Sequence, residues 1–371
     1  KPRFGKTLAT YDLCKTVKAK KVLIVTNRPS TATSWYADYE KFLGTESGYR
    51  FVSTDQNIKD KSLVLTRDEY ESFNKNNPTK QANLIEFMSL QDMKGSVYFG
   101  GTFDKLEAEH REHWDLLVID EAHEGVDTYK TDRAFDKIRR DYTLHLTGTP
   151  FKQIAGNKFA NDAIFNWTYA DEQNAKESWN EESANPYFDL PKLTMFTYQM
   201  SDIVREKVSK GMDLDDTTAD FAFDLNEFFA TNESGRFIHD DAVNKFLDAL
   251  ATQEKFPFST PELRNELKHT FWVLNRINSA VALAKKLKAH PVFKDYEIVS
   301  VAGDGRIDED DDTKNKKAYT KVIDAIHKHD KTITLSVGQL TTGVTVPEWT
   351  AVLMLSNIST PSLYMQAAFR A

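Results

Sequence analysis

Two short stretches far apart in the chain carry residue types able to handle a phosphate and a divalent cation together. Gly5, Lys6 and Thr7 run into a helix-forming segment, LATYDLCK. A small residue lets backbone N–H groups close around an oxyanion, and a helix N-terminus turns its dipole toward that charge. A lysine neutralises terminal phosphates, and a hydroxyl can ligate Mg²⁺. The complete spacing, G-x-x-x-x-G-K-[ST], puts its leading glycine one residue before Lys1, and the bare triplet also arises in ordinary loops. The second stretch, LLVIDEAH, delivers Asp120 and Glu121 at the end of four apolar residues, Leu116 to Ile119. Adjacent carboxylates there could cap a helix. Downstream of a Gly-Lys-Thr they better fit a pair in which Asp120 orders Mg²⁺ and Glu121 polarises an attacking water.

These residues need a scaffold that brings both stretches to one edge. Short apolar runs separated by helical segments supply it: KVLIVTN at 21–27, NLIEFMSL at 83–90, SVYFGG at 96–101, DLLVID at 115–120 and YTLHLTG at 142–148. Apolar runs without polar alternation predict a parallel sheet covered on both faces, with ligands at the carboxyl ends of its strands. From about 165 to 268 the pattern changes to acidic, aromatic helical segments broken by Pro186, Pro191, Pro257 and Pro261, with one strand expected at KLTMFTYQ. The βα alternation then returns with TFWVLN, YEIVSVAG, TITLSVG and TAVLMLSN. The expected division is 1–164, an α/β domain; 165–268, a mainly helical acidic insertion or linker; and 269–371, a second α/β domain.

Composition narrows the class. The 371 residues are 40% hydrophobic and 28% charged, as in a soluble two-domain protein. No apolar run approaches the roughly 20 residues that span a bilayer, and no basic-then-apolar leader is present, so a cytoplasmic location without membrane partners is expected. The single cysteine, Cys14, excludes an internal disulfide framework and reads as core filler. A net charge of −8 argues against coating nucleic acid by bulk electrostatics but leaves room for a local groove. The acidic run at 308–312 lacks the spacing of a calcium loop and reads as a solvated surface.

With the motifs in order, the chain resembles the core of superfamily 2 helicases and translocases. DEAH is similar to motif II and the opening Gly-Lys-Thr to motif I. TGTP, with Thr147 and Thr149, is similar to motif III, which couples the nucleotide site to the nucleic-acid site. VTNRPS resembles motif Ia and FGGT stands where motif Ib falls. TFWVLNR resembles motif IV, LTTGVTVPEW motif V, and YMQAAFRA the start of motif VI. The resemblance implies two tandem RecA-like α/β domains with ATP and Mg²⁺ held between them. It implies a nucleotide set of Phe4, Gly5, Lys6, Thr7, Asp120 and His123, with Thr7 and Asp120 toward the metal. Catalytic roles fall to Lys6, Asp120, Glu121, Gln366 and Arg370. Thr26, Arg28, Pro29, Gly101, Thr102, Thr341, Thr342 and Gly343 are the expected contacts to a nucleic-acid backbone. Two departures stand out: Thr345 occupies a position where the family commonly has an acid, and Phe369 stands where motif VI has a small residue.

The strings RFGKT, DLLVIDEAHEG, LHLTGTPF and TTGVTVPEWTAVLMLSN point within this superfamily to type III restriction Res subunits and the related type I motor subunits. That resemblance covers the two α/β domains and implies ATP-driven movement on double-stranded DNA, with a nuclease or modification module elsewhere in the polypeptide or complex. The chain reads as the motif-bounded core of a longer protein. An RNA helicase is the alternative enzyme, because backbone grips do not separate the two polymers. A degenerate nucleotide-binding scaffold is the alternative outside enzymes. Lys6→Ala is expected to end hydrolysis with little loss of folding.

Overall fold

The computed structural model describes residues 5–27, 31–121, 129–151, 154, 156, 159–197, 224–302, 312–341 and 344–370. Phe4, Arg28, Pro29, His123, Thr342 and Gly343 lie outside them. The chain divides into two compact units, Lys1–Tyr187 and Phe188–Ala371.

In the first unit, in chain order, come α1 (Lys6–Thr16), β1 (Lys21–Thr26), α2 (Ala32–Phe42), β2 (Tyr49–Val52), β3 (Val64–Leu65), α3 (Arg67–Asn76) and β4 (Asn83–Ser89). They are followed by α4 (Leu90–Gly95), α5 (Glu107–Arg111), β5 (His113–Asp120), α6 (Tyr129–Asp136), β6 (Arg139–His145) and α7 (Tyr169–Glu177). The six strands form one parallel sheet in the order β3-β2-β4-β1-β5-β6. Alternate residues of β1 serve two cores: Val22 and Ile24 pack with Tyr11, Cys14 and Trp35 on one face, and Leu23 and Val25 with Met88, Trp114 and Leu117 on the other. Burial on both faces is why the run VLIV shows no polar alternation.

The second unit contains α8 (Leu225–Phe228), α9 (Asp240–Thr252), α10 (Pro261–Glu266), β7 (His269–Val273), α11 (Ile277–Ala289), β8 (Glu297–Ala302), α12 (Asp312–Lys328), β9 (Thr332–Val337), β10 (Ala351–Met354) and α13 (Pro361–Ala368). Its four parallel strands run in the order β10-β7-β9-β8. Two α/β units with parallel sheets therefore stand as expected.

Several local expectations need correction. SVYFGG is not a strand. The Ser96 hydroxyl accepts the Tyr98 N–H, a short 3₁₀ turn covers Val97–Phe99, and Gly100 at φ 102° folds the chain back. The described part of KLTMFTYQ, residues 192–197, forms no strand. Strands β2 and β3 are additional to the expected set: YRFV and VL are too short to give a periodic signal. Helices α8 and α9, assigned by sequence to a separate insertion, pack into the second unit. Phe228, Val243 and Leu247 share one core with Trp272, Leu283 and Leu335.

Candidate functional site

Strands β1 and β5 run side by side with Thr26 opposite Asp120, so both end at the same sheet edge. Helix α1 begins at that edge. Its N-cap, Gly5, adopts φ 87°, a left-handed conformation open to glycine at little cost. Among the described residues no side chain caps the N-terminus of this 11-residue helix, and a helix start of this kind favours an anion.

The two stretches meet across 115 residues of sequence. Lys6 Nζ donates to Glu121 Oε1 at 2.7 Å and stands 3.5 Å from Asp120 Oδ1. Asp120 is buried at the end of a strand whose apolar residues exclude water, and its Oδ1 also accepts the Glu121 N–H at 2.9 Å. Glu121 has φ 52°, a left-handed conformation unusual for a residue with a Cβ and of the kind that concentrates at functional sites.

One ammonium here serves two carboxylates. Burial works against the charge on Lys6, but Glu121 and then Asp120 outweigh it and hold the lysine above its ordinary value. Burial pushes Asp120 up, Lys6 pulls it back, and Glu121 adds to the rise. The residual negative charge suits a divalent cation. Thr7 fits as well: its hydroxyl lies near the Asp38 carboxylate, opposing the rise that burial gives that group, and such an oxygen is a hard ligand for a divalent cation. The donor set of Thr7 and Asp120, beside Lys6 and an uncapped helix start, fits Mg²⁺ with a nucleoside triphosphate.

Three groups the sequence reading did not single out complete the site. The Trp35 indole N–H donates to Asp120 Oδ2 at 2.9 Å, and Tyr11 O–H donates to the Trp35 carbonyl at 2.8 Å. Trp35 and Asp38 lie one turn apart on α2, so an i, i+3 pair on the helix after β1 was the available signal. Cys14, by contrast, is fully buried, and burial pushes its thiol to about 12, which removes it as a nucleophile.

Residues 4–152 match the family described as Type III restriction enzyme, res subunit. A Mycoplasma pneumoniae (strain ATCC 29342 / M129 / Subtype 1) protein, named as the C-terminus of a candidate type II restriction enzyme and methyltransferase, RM.MpnORF110P, is 25% identical over 434 aligned positions. That alignment takes in 100% of this chain and 57% of the relative. Among solved structures, the ATP-dependent Type ISP restriction-modification enzyme LlaBIII bound to DNA shares the fold at a TM-score of 0.53 and 14% identity, over 99% of this chain and 24% of that one. The Sulfolobus solfataricus SWI2/SNF2 ATPase core in complex with dsDNA matches at 14% identity over 95% of this chain and 75% of that one, with a TM-score of only 0.32.

The chain resembles a superfamily 2 helicase core of the Res type. It spans little more than half the length of its curated relative and a quarter of the solved one.

The remaining expected residues have varied surroundings. Leu146 N–H donates to the Ile119 carbonyl at 2.9 Å, so the TGTP loop starts beside the Asp120–Glu121 end of β5. There the Thr147 hydroxyl accepts the Thr149 N–H at 3.0 Å, and Thr149 is buried. Thr26 is also buried, with its hydroxyl 3.3 Å from that of Thr31. Gly101 packs so tightly that a Cβ would run into the backbone of Lys94 and Gly95, which gives the glycine a steric reason of its own; Thr102 beside it is exposed.

In the second unit Arg370 is buried, its Nε–H donating to the Thr341 carbonyl at 2.8 Å and its guanidinium also to the Val344 carbonyl. The Thr341 hydroxyl donates to the Gly338 carbonyl at 2.5 Å, and Leu340 takes a left-handed φ of 59°. Gln366 is buried on α13. Arg370 thus pins the loop expected to meet nucleic acid. Among the described residues no helix is long and apolar enough to cross a membrane.

Proposed function

We propose that this chain is the motor core of an ATP-dependent, restriction-type DNA translocase. The observation that carries the reading is the Lys6–Glu121–Asp120 cluster at the end of the β5 strand. Its residue types and position support nucleotide hydrolysis in a Res-type core.

Lys6 holds Glu121 in a salt bridge while no phosphate is near. A nucleotide's terminal phosphates draw the flexible lysine away, because they offer more negative charge than the two carboxylates. The Glu121 carboxylate is then left to accept a proton from a water in line with the phosphate. Asp120 and Thr7 would hold Mg²⁺, which when bound supplies charge neutralisation to the phosphates. Contacts from the loops at 26–30, 101–102 and 341–343 are to phosphate, so sequence choice resides elsewhere in the full protein. Duplex DNA as the polymer and a companion nuclease or modification module belong to the same proposal.

ATP turnover by the purified protein, measured alone, with duplex DNA and with RNA, tests it. Stimulation by duplex DNA is expected. Stimulation by RNA alone would make the protein an RNA helicase, and Mg·ATP binding without turnover would make it a nucleotide-binding scaffold.

A further inference from the structure

Resting on that reading of the site, we infer that Trp35 is a positioning residue for Asp120, the hydrogen bond from its indole fixing how the carboxylate faces the cation. An aspartate at a strand end can turn about its side-chain bonds, and a cation ligand held in several orientations binds weakly. Here both oxygens are committed. Oδ1 accepts the Glu121 backbone N–H and faces Lys6, while Oδ2 accepts the Trp35 Nε1–H at 2.9 Å. Oδ1 is also the oxygen that stands 3.5 Å from Lys6 Nζ.

The indole is itself held. Trp35 is 1% exposed, and Tyr11 packs edge-on against it at 5.5 Å and 84°. Tyr11 O–H also bonds the Trp35 carbonyl, and Tyr11 belongs to α1, the helix that starts with Lys6 and Thr7. One turn along α2, the Asp38 carboxylate lies near the Thr7 hydroxyl. Helix α2 therefore bonds one expected cation ligand, Asp120, through Trp35 and lies beside the other, Thr7. An indole is a donor only, so Trp35 cannot ligate the cation and acts solely through Asp120.

Trp35→Phe keeps an aromatic ring and removes the donor. Binding of a fluorescent, non-hydrolysable ATP analogue is followed by anisotropy in EDTA and across a Mg²⁺ titration, with the melting temperature recorded without nucleotide. Metal-free affinity should stay within about twofold of wild type, while the Mg²⁺ midpoint rises about 10- to 100-fold, the range seen when groups orienting metal ligands are removed. A midpoint unchanged from wild type overturns the inference. So does a fall in metal-free and Mg²⁺-dependent affinity in equal proportion, which assigns Trp35 to packing alone. If Trp35→Phe does not fold, the isosteric benzothienylalanine, with ring sulfur in place of N–H, is placed at position 35 and read against the same outcomes. Failure of the wild-type protein to bind the analogue overturns the functional reading and this inference with it, whereas wild-type binding with an unshifted variant overturns only the inference.

Discussion

Lys6 has two partners of opposite consequence, the carboxylates it touches in the fold and the phosphate it is expected to meet. The sequence reading treated it as dispensable for folding, but the structure changes that part. Removing the ammonium leaves buried Asp120 and strained Glu121 as adjacent like charges. Lys6→Ala should therefore abolish ATP turnover and also cost about 1–3 kcal/mol. This is less than the loss of one partner from a fully buried pair, because a fifth of the Lys6 and Glu121 side chains remains exposed. Turnover and denaturant unfolding on one preparation check both, and wild-type turnover in a folded variant would remove the phosphate assignment. Glu121→Gln retains the hydrogen-bonding shape but not the basic oxygen. It should bind Mg·ATP and hydrolyse it about 10²- to 10⁴-fold more slowly; loss of nucleotide binding would make Glu121 a binding group instead.

At the scale of elements, α3 is tied to β4 by an ion network within the first unit. Arg67 donates to Glu86 and to Glu112, each at 2.7 Å, and to Glu71 at 3.1 Å, while Lys21 reaches Glu112 at 2.7 Å. Glu86 faces the sheet core among Leu84, Met88 and Leu23, with buried Glu109 beside it. Burial pushes Glu86 well above the usual carboxylate range, Glu109 pushes it further, and Arg67 opposes both. A raised carboxyl binds its proton more tightly in the folded state. It thus adds stability at acid pH that is lost as pH climbs from the ordinary glutamate value through the raised one. Glu86→Gln keeps a neutral group in place and should flatten that decline, leaving the variant as stable as wild type or more so at the alkaline end. Denaturant unfolding between about pH 5 and pH 9 reads the slope, and an unchanged slope would acquit Glu86.

At the scale of the whole molecule, the proposed function places the coupling of hydrolysis to movement in the loop after β6. The Thr147 hydroxyl already accepts a backbone N–H in that loop, so part of its worth is structural, about 0.5–1.5 kcal/mol. Thr147→Ala with Thr149→Ala leaves Lys6, Thr7, Asp120 and Glu121 untouched. Basal ATP turnover should survive while DNA-driven displacement of a triplex strand falls steeply. Turnover and displacement declining together would confine the threonines to the turn.

What the sequence by itself determined follows from short-range physics. Apolar runs marked β1, β4, β5, β6 and the four strands of the second unit; of these, β1, β4, β5, β7 and β9 are buried along most of their length, while the edge strands β6 and β10 stay partly exposed. Gly-Lys-Thr and Asp-Glu announced their chemistry by residue type, and the motif order gave the Res resemblance. Tertiary structure decided what depends on distance across the chain. It closed Lys6 onto Glu121 over 115 residues and sent α8 and α9 into the second core, because burying Phe228, Val243 and Leu247 outweighs their acidic outer faces. It turned Arg370 onto the carbonyls of Thr341 and Val344, where a buried guanidinium finds acceptors. It also set Trp35 against Asp120, since a buried indole N–H must find an oxygen and no spacing in the sequence says which one.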